Sequence, residues 1–207
     1  MKISDEPQKR QSYHHGDLRA QLIEATRVLV EEKGPDRFSV SEACRAAGVS
    51  TAAPYKHFKD KKEMLRAVAL AGMERQRQNM LDELAKFTPG TLDRVNALGR
   101  VYVTFAMREP GVFRLMFGLS EDHEEDEELV ATGSKTRTLV ETEVAQCRGA
   151  NVVSDSDRQT AFLLWSFVHG LSFLQIDGKL AASGHQIELD VILDEVSRGL
   201  VAKPSGG

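Results

Sequence analysis

The stretch SVSEACRAAGVSTAAPYKHFKDKKEML, residues 39–65, constrains the fold more than any other part of the chain. Ser39 and Glu42 have the spacing of a capping box, in which each side chain bonds to the other residue's backbone N–H, so a helix is predicted to begin there. That helix ends near Ala47, because Gly48 supplies the permissive backbone that a sharp turn requires. The chain therefore turns sharply after a very short helix.

A second short helix is predicted directly after the turn. Ser50 is a suitable N-cap, and Pro54 then falls in the first turn, where a missing N–H costs little. Asp60 and Glu63 repeat the spacing of a helix start, so the second helix has ended by then. A helix this short is not stable alone and must be held by its neighbours. Helix, glycine-containing turn and helix form the helix-turn-helix plan, whose second helix enters the major groove of DNA.

Helical periodicity continues through the rest of the chain, and no segment reads as a strand. Before the turn motif, apolar residues recur at helical spacing from Leu18 to Leu29, and Gly34-Pro35 ends that run. The fold is predicted to be all-α, with an N-terminal three-helix helix-turn-helix head and a C-terminal helical bundle for ligand binding and dimerisation. Further helices are predicted at about residues 60–86, 91–107, 112–118, 126–148, 159–176 and 188–202.

Charge divides the chain in the same place as the fold. Residues 1–62 hold 12 Lys and Arg against 9 Asp and Glu, whereas the remainder holds 15 against 22. A basic head on an acidic body suits a protein whose head alone touches phosphates. The predicted division is a flexible tail over residues 1–12, a helix-turn-helix DNA-binding head over 13–62, and an effector-binding and dimerisation body over 63–203.

Cysteine usage and hydropathy point to the cytoplasm. Cys44 and Cys147 form no CxxC pair and suit a reducing compartment better than a disulfide scaffold. No stretch approaches the length of an apolar membrane span, and the N-terminal residues lack the apolar core of a secretory signal. We therefore expect a cytoplasmic protein with no membrane partner.

Side chains on the second short helix predict how it meets DNA. Ala52, Ala53 and Pro54 let the backbone come close and offer carbon atoms to a thymine methyl. Lys56 is long enough to reach a guanine edge or a phosphate, and Tyr55 can donate to phosphates, which positions the helix without specifying sequence. The same shape also occurs as plain packing, so the pattern alone leaves DNA binding open. The full set of predicted contacts is Tyr13, His14, Ser39, Ser50, Thr51, Ala52, Ala53, Pro54, Tyr55, Lys56, His57 and Lys61.

The run AGVSTAAPYKHFKDKKEML resembles the DNA-binding region of the TetR family of bacterial transcriptional repressors. The match covers about residues 13–70. YHHGDLR, residues 13–19, together with Trp165, His169 and Gly170, is similar to the subgroup whose C-terminal domain is named for Trp, His and Gly. The family pattern around the second helix falls on Gly48, Val49, Ser50, Tyr55, His57, Phe58, Asp60, Lys61 and Leu65.

The resemblance implies a regulator that is not an enzyme. It implies a homodimer in which each head contacts one half-site of a palindromic operator, while a small effector in the body changes the distance between the heads. Ala53 and Pro54 stand where many members have a Gly-Thr-Leu type of stretch, so the identity of the bases does not carry over.

Aromatic side chains in the body predict an effector site. They could line an apolar cavity with a few polar groups, as small-molecule sites do, although filling the core explains each of them equally well. Trp165 and His169 share a helix face, and a buried His and a Trp N–H both need partners, from a ligand or from the protein itself. The candidates are Tyr102, Phe105, Phe113, Met116, Phe117, Phe162, Trp165 and His169.

Two helices near the C-terminus, about residues 158–177 and 188–202, predict the dimer interface. Their apolar surface exceeds what one small body can bury, and two copies could pack as a four-helix bundle with twofold symmetry. The same symmetry would match a palindromic operator. The predicted interface residues are Phe167, Gly170, Leu171, Leu174, Leu189, Leu193, Val196 and Leu200.

Other kinds of site have less support. His14 and His15 could bind a metal, but no third ligand is near in sequence. The acidic run at residues 121–128 contains His123, yet a charge run is usually a solvated surface. With no nucleophile elbow, phosphate-binding glycine loop or zinc spacing, we expect no catalytic residue, metal or cofactor. The alternatives are an all-α enzyme or a protein-interaction module that uses the body.

Overall fold

The computed structural model describes residues 18–118, 126–182, 184 and 188–201. Within these ranges the chain forms α-helices and one 3-10 turn, with no strand, which confirms the predicted all-α fold class. None of the described helices is long and apolar enough to cross a lipid bilayer. In chain order the elements are α1 (Leu18–Lys33), α2 (Val40–Ala46), the 3-10 turn Pro54–Lys56, α3 (Lys61–Leu84), α4 (Leu92–Arg108), α5 (Pro110–Gly118), α6 (Glu127–Cys147), α7 (Asp155–Ile176), α8 (Lys179–Ala182) and α9 (Leu189–Val201).

Helix α2 begins and ends as the capping rules predict. The Ser39 backbone N–H donates to Glu42 Oε2 at 2.8 Å, and the Glu42 N–H donates to Ser39 Oγ at 3.2 Å, which completes the capping box. Just past the helix, Gly48 has a φ of +68°, which glycine adopts without steric cost. The predicted sharp turn is therefore confirmed, and it depends on this glycine.

The segment after the turn differs from the predicted α-helix. We call residues 50–57 the recognition segment; it consists of a turn followed by the 3-10 turn Pro54–Lys56. In an α-helix the Ser50 carbonyl would accept from the N–H of residue 54, but a proline has none. That carbonyl instead accepts from the Ala53 N–H at 3.0 Å, which tightens the backbone.

Helix α3 runs from the head into the body without interruption. The Asp60 side chain caps its start by accepting from the Glu63 N–H at 2.8 Å. One apolar core extends from Leu22 and Phe58 of the head into the body. The predicted boundary between residues 62 and 63 falls inside this helix, and the domain division stays a prediction.

Close approach of helices in the body depends on glycine. A Cβ on Gly72 of α3 would lie 2.5 Å from Val112 Cγ1 on α5. A Cβ on Gly99 of α4 would lie 2.8 Å from Leu193 Cδ2 on α9. A Cβ at either position would force the facing side chain or its helix to shift, so both glycines permit the close approach of these helices.

Arg148 connects the ends of three helices through hydrogen bonds. It follows α6 and donates to Asp157 Oδ1 at 2.8 Å and to Thr160 Oγ1 at 2.9 Å, both on α7. The same guanidinium donates to the carbonyls of Leu200 at 3.0 Å and Val201 at 3.2 Å, at the end of α9. Carbonyls in the last turn of a helix have no partner within the helix, and the multiple donors of one arginine satisfy two of them here.

Candidate functional site

The recognition segment exposes most of its predicted contact residues. Tyr55 is 66% exposed, and the neighbouring Lys56 and His57 are exposed on the same short turn. A surface with short side chains at one end and long donors at the other can lie close to a groove while its donors reach the groove wall. The exposed short residues at the start of the segment are Ser50, Thr51 and Ala52.

Pro54 does not belong to the exposed surface that was predicted to contact DNA. Its side chain is fully buried, so its ring carbons do not face solvent, contrary to prediction. Burying a ring that has no N–H leaves no donor unsatisfied, which suits proline to the inward position. Ala53 is partly exposed, and Phe58 is 3% exposed and holds the segment on the head.

Two further predicted contacts already bond within the protein. Lys61 Nζ donates to the Asp36 carbonyl at 3.1 Å and lies 4.4 Å from the centre of the Phe38 ring. The Ser39 hydroxyl is held in the capping box. Contacts of both residues with DNA stay predictions. Outside the described residues lie Tyr13 and His14.

Polar contacts join the head to α5 of the body. Glu31 on α1 accepts from the backbone N–H groups of Gly111 at 2.9 Å and Val112 at 2.8 Å. These groups lie in the first turn of α5, where a carboxylate is stabilised by the helix dipole. Arg75 on α3 donates to Glu109, just before α5, at 2.6 Å. A displacement of α5 therefore acts on both α1 and α3.

A partly open cavity of about 440 Å³ lies in the body, and residues of α3, α4, α5, α6, α7 and α9 line it. This volume is within the range of small-molecule sites. The wall is mostly apolar, and α3 contributes Met73, Gln76 and Met80 to it. The predicted effector residues that line the cavity are Tyr102, Met116, Phe117, Phe162 and Trp165.

The other predicted effector residues are not part of the wall. Phe105 and Phe113 are buried in the core, and His169 is likewise absent from the cavity lining. The Phe113 ring packs against Tyr102 and Phe117, with ring centroids 5.5 and 5.0 Å apart respectively. These residues support the wall from behind. Sequence could not separate the two roles, because cavity wall and core both use apolar rings.

His169 is satisfied by the protein itself. Trp165 Nε1 donates to the Tyr102 hydroxyl at 3.1 Å, and that hydroxyl lies 2.9 Å from His169 Nδ1. The tyrosine hydroxyl can donate its hydrogen to Nδ1 when the neutral imidazole carries its proton on Nε2. Burial lowers the pKa of His169 and raises the pKa of Tyr102 above its usual value, which favours the neutral form of each. His169 is half-buried, and its Nδ1 already has a partner within the protein.

Part of the predicted dimer interface belongs to the protomer's own interior. Leu171 and Leu193 are each 5% exposed, so neither offers area to a partner, contrary to prediction. Phe167 and Val196 line the cavity. Because α7 is apolar on most sides, its periodicity does not distinguish the face toward its own body from a face toward a partner. Leu189 is half-buried against the main apolar core, and Leu200 is half-buried against a second cluster that includes Val144 and Leu164.

A different set of apolar side chains is exposed on α7 and α9. Leu174 is 46% exposed, and Leu163 lies on the same helix face. Gly170 lies between them with open space around it. On α9, Val191 is also exposed. Leu174 and Gly170 were predicted interface residues, whereas Leu163 and Val191 were not.

Part of the acidic run caps a helix. Asp126 accepts from the Leu129 N–H at 3.2 Å at the start of α6 and pairs with Arg66 of α3. This arginine lowers the pKa of Asp126 to about 2. Residues 119–125, with His123 among them, lie outside the described part of the chain. Within the described part, no three His, Cys, Asp or Glu side chains cluster as metal ligands would.

Two family models match the chain. One, described as "Bacterial regulatory proteins, tetR family", matches residues 22–68, which include the recognition segment. The other, described as "Tetracyclin repressor-like, C-terminal domain", matches residues 95–199, which include most of the body.

Solved structures share the fold over nearly the whole chain. A protein of unknown function from Rhodococcus sp. RHA1 is 29% identical, has a TM-score of 0.77, and matches over 93% of this chain and 100% of its own. A tetR-family transcriptional regulator from Streptomyces coelicolor has a TM-score of 0.70 at 15% identity, over 91% of this chain and 80% of its own. The second likeness shows the fold alone.

Curated relatives match over a shorter length. The nucleoid occlusion factor SlmA of Mannheimia succiniciproducens is 30% identical over 97 residues, which are 47% of this chain and 44% of that protein. SlmA of Vibrio vulnificus is 27% identical over 101 residues, which are 48% of this chain and 51% of that protein. The chain spans about half the length of the curated relatives it matches.

The matched family consists of transcriptional regulators and not of enzymes. The described residues combine a helix-turn-helix head, an exposed recognition segment and a helical body, in the order that the two family models require. The chain belongs to the TetR family of DNA-binding transcriptional regulators.

Proposed function

We propose that this protein is a homodimeric repressor that a small, largely apolar effector releases from a palindromic operator. The observation that carries the proposal is the course of α3. This helix begins at Lys61, directly after the head, and its middle supplies Met73, Gln76 and Met80 to the cavity wall. These residues recur at helical spacing and share one face. A ligand in the cavity therefore contacts the same helix that carries the head.

Glu31 provides a second connection between cavity and head. Its carboxylate caps α5, and the same short helix supplies Met116 and Phe117 to the cavity wall. An effector shifts the balance between DNA-binding and non-binding arrangements only by the difference in its affinity for the two. A ligand that fits better when α3 and α5 are displaced will lower the affinity for the operator.

Each head is proposed to insert its recognition segment into the major groove. Thr51 and Ala52 meet base edges, and Lys56 reaches a guanine or a phosphate. Tyr55 and His57 donate to phosphates and position the segment. A dimer with twofold symmetry places two such segments on a palindromic operator. The protein then acts in the cytoplasm, at the nucleoid.

The exposed apolar faces of α7 and α9 support an interface in which two copies form a four-helix bundle. Replacing Leu174 by glutamate is expected to convert the dimer to a monomer, because the interface would bury a carboxylate without a partner. Light scattering should give twice the chain mass of 22.9 kDa for the wild type and the single mass for the variant. Met107→Glu, at an exposed position on α4, is the control and should stay dimeric. A wild-type mass near 22.9 kDa would refute the interface.

Effector binding should be visible through Trp165, the single tryptophan of the chain. An effector is expected to change its fluorescence and, over the same concentration range, to weaken operator binding by about tenfold or more. Apolar compounds can be screened by fluorescence and then added to the complex with labelled operator DNA. The Trp165→Phe variant should lose the fluorescence change and should retain the cavity, which Tyr102 also lines. If compounds that saturate the fluorescence change leave operator affinity unaltered, release by an effector in this cavity is wrong.

A further inference from the structure

We infer that the effector carries an uncharged hydrogen-bond acceptor, such as a ketone, ester or amide carbonyl, which the side-chain amide of Gln76 binds. The inference rests on the proposed function in one respect, namely that the cavity is the effector site. It adds the chemical class of the ligand. The remainder of the ligand is apolar, because most of the wall is.

Gln76 is an unsatisfied donor in a mostly apolar wall. Its side chain is 3% exposed and lies on α3 between Met73 and Met80. Across the described residues, no acceptor lies within hydrogen-bonding distance of Gln76 Nε2. A buried amide without a partner costs free energy, and native proteins rarely retain one without a role. A ligand acceptor in the cavity would supply the missing bond.

Other polar groups in the wall already bond to the protein. Ser197 Oγ donates to Asn96 Oδ1 at 2.5 Å, and Asn96 Nδ2 donates to Asp194 Oδ1 at 3.2 Å. The Tyr102 hydroxyl bonds to Trp165 and to His169, as described above. A ligand that offers one acceptor gives these groups no new hydrogen bond, whereas it gives Gln76 Nε2 the bond that it lacks.

Charge on the wall indicates that the acceptor is neutral. The wall cations of the described chain are Arg137 and Arg158, whose side chains are largely exposed. Arg158 pairs with Asp155 at 2.7 Å, and Arg137 bonds to Ser134 Oγ at 3.0 Å. Neither is buried beside Gln76. A carboxylate at that depth would lose its hydration without gaining a buried counter-charge, which a carbonyl does not require.

The shape of the wall suits a flexible aliphatic chain. Met73, Met80 and Met116 contribute unbranched thioethers, which adapt to irregular ligands. Methyl nonyl ketone is a direct probe, because its carbonyl accepts a hydrogen bond and cannot donate one. Undecane has the same chain without the acceptor, and undecanoate replaces the neutral acceptor with a charged one.

The test measures binding of these three compounds to the full-length protein without DNA. Trp165 fluorescence and calorimetry report the binding. Wild type is expected to bind the ketone more tightly than undecane or undecanoate. Gln76→Leu should weaken ketone binding by about tenfold and leave undecane binding equal or tighter, because an apolar side chain removes the unpaired amide. Gln78→Leu, at an exposed position on the same helix, is the matched control and should bind like wild type.

Gln76→Met is a second variant in case leucine disturbs folding, and it should show the same selective loss. Equal ketone affinity in wild type and in a folded Gln76 variant would overturn the inference, and so would failure of the ketone to bind wild type. The proposed function is judged separately, by operator affinity at saturating ketone. Binding that depends on Gln76 without operator release would leave the ligand class standing and refute the release mechanism.

Discussion

Replacing Lys56 by glutamate is expected to lower the affinity for duplex DNA by about a hundredfold or more, without lowering the melting temperature. Lys56 is exposed in the recognition segment. In the proposed complex with DNA, the substitution removes a phosphate or base contact and adds a repulsive charge beside the duplex. Exposed charges contribute little to folding, so the effect is confined to binding.

Lys86→Glu is the matched control. It makes the same change in net charge at an exposed residue just beyond the far end of α3. Fluorescence anisotropy with labelled DNA over a series of salt concentrations should show a large loss for Lys56→Glu and a small one for Lys86→Glu. If Lys56 contacts a phosphate, Lys56→Ala should also reduce the salt slope by about one and weaken many sequences alike. Equal losses in the two glutamate variants would mean that overall charge, and not the recognition segment, determines binding.

Replacing Arg148 by methionine is expected to destabilise the protein by about 3–5 kcal/mol, the usual effect of leaving a buried charge without its partner. The Asp157 side chain is 4% exposed and would lose the guanidinium, as would the terminal carbonyls of Leu200 and Val201. Chemical denaturation of wild type and variant measures the difference. Arg158→Met is the control, because this exposed arginine forms only a surface pair with Asp155 and should change stability by about 0.5 kcal/mol or less.

The effect of Arg148→Met should depend on pH. Burial alone would raise the pKa of Asp157, but hydrogen bonds from Ser154 and Arg148 outweigh it, so the pKa in the folded protein lies below its usual value. A carboxyl with a lowered pKa stabilises the fold at neutral pH, and that contribution is lost as the pH falls through the lowered pKa. In the variant the Asp157 carboxyl protonates at a higher pH. Its neutral form no longer carries the cost of a buried charge without a partner. The difference between the two proteins should therefore narrow toward about pH 4. A small difference in stability that is constant with pH would contradict the proposed role of the Arg148–Asp157 pair.

Features with a local cause could be predicted from the sequence. The capping box at Ser39 and Glu42 and the turn at Gly48 depend on neighbours a few residues away, and both formed as expected. The 3-10 geometry of the recognition segment also has a local cause, the missing N–H of Pro54, but its consequence for the Ser50 carbonyl was overlooked. The outcome is a tighter segment with a buried proline.

Features that depend on distant partners could not be predicted. Gln76 carries no distinguishing local signal, and only the packing of six helices around it shows that its amide is buried without an acceptor. Arg148 bonds to residues more than fifty positions away at the end of α9. The exposed face of α7 could not be predicted either. Leu171 and Leu174 are both apolar, and only packing shows which one faces outward.

The proposed function requires that the recognition segment lies in the major groove of a duplex. Selection of binding sequences from random double-stranded DNA, with the full-length protein at low ionic strength, tests this most directly. The expected result is enrichment of a twofold-symmetric sequence with half-sites about one helical turn or a small multiple apart, which Lys56→Glu abolishes. Retention of no duplex by the folded wild-type protein, or retention that Lys56→Glu leaves unchanged, would contradict the account.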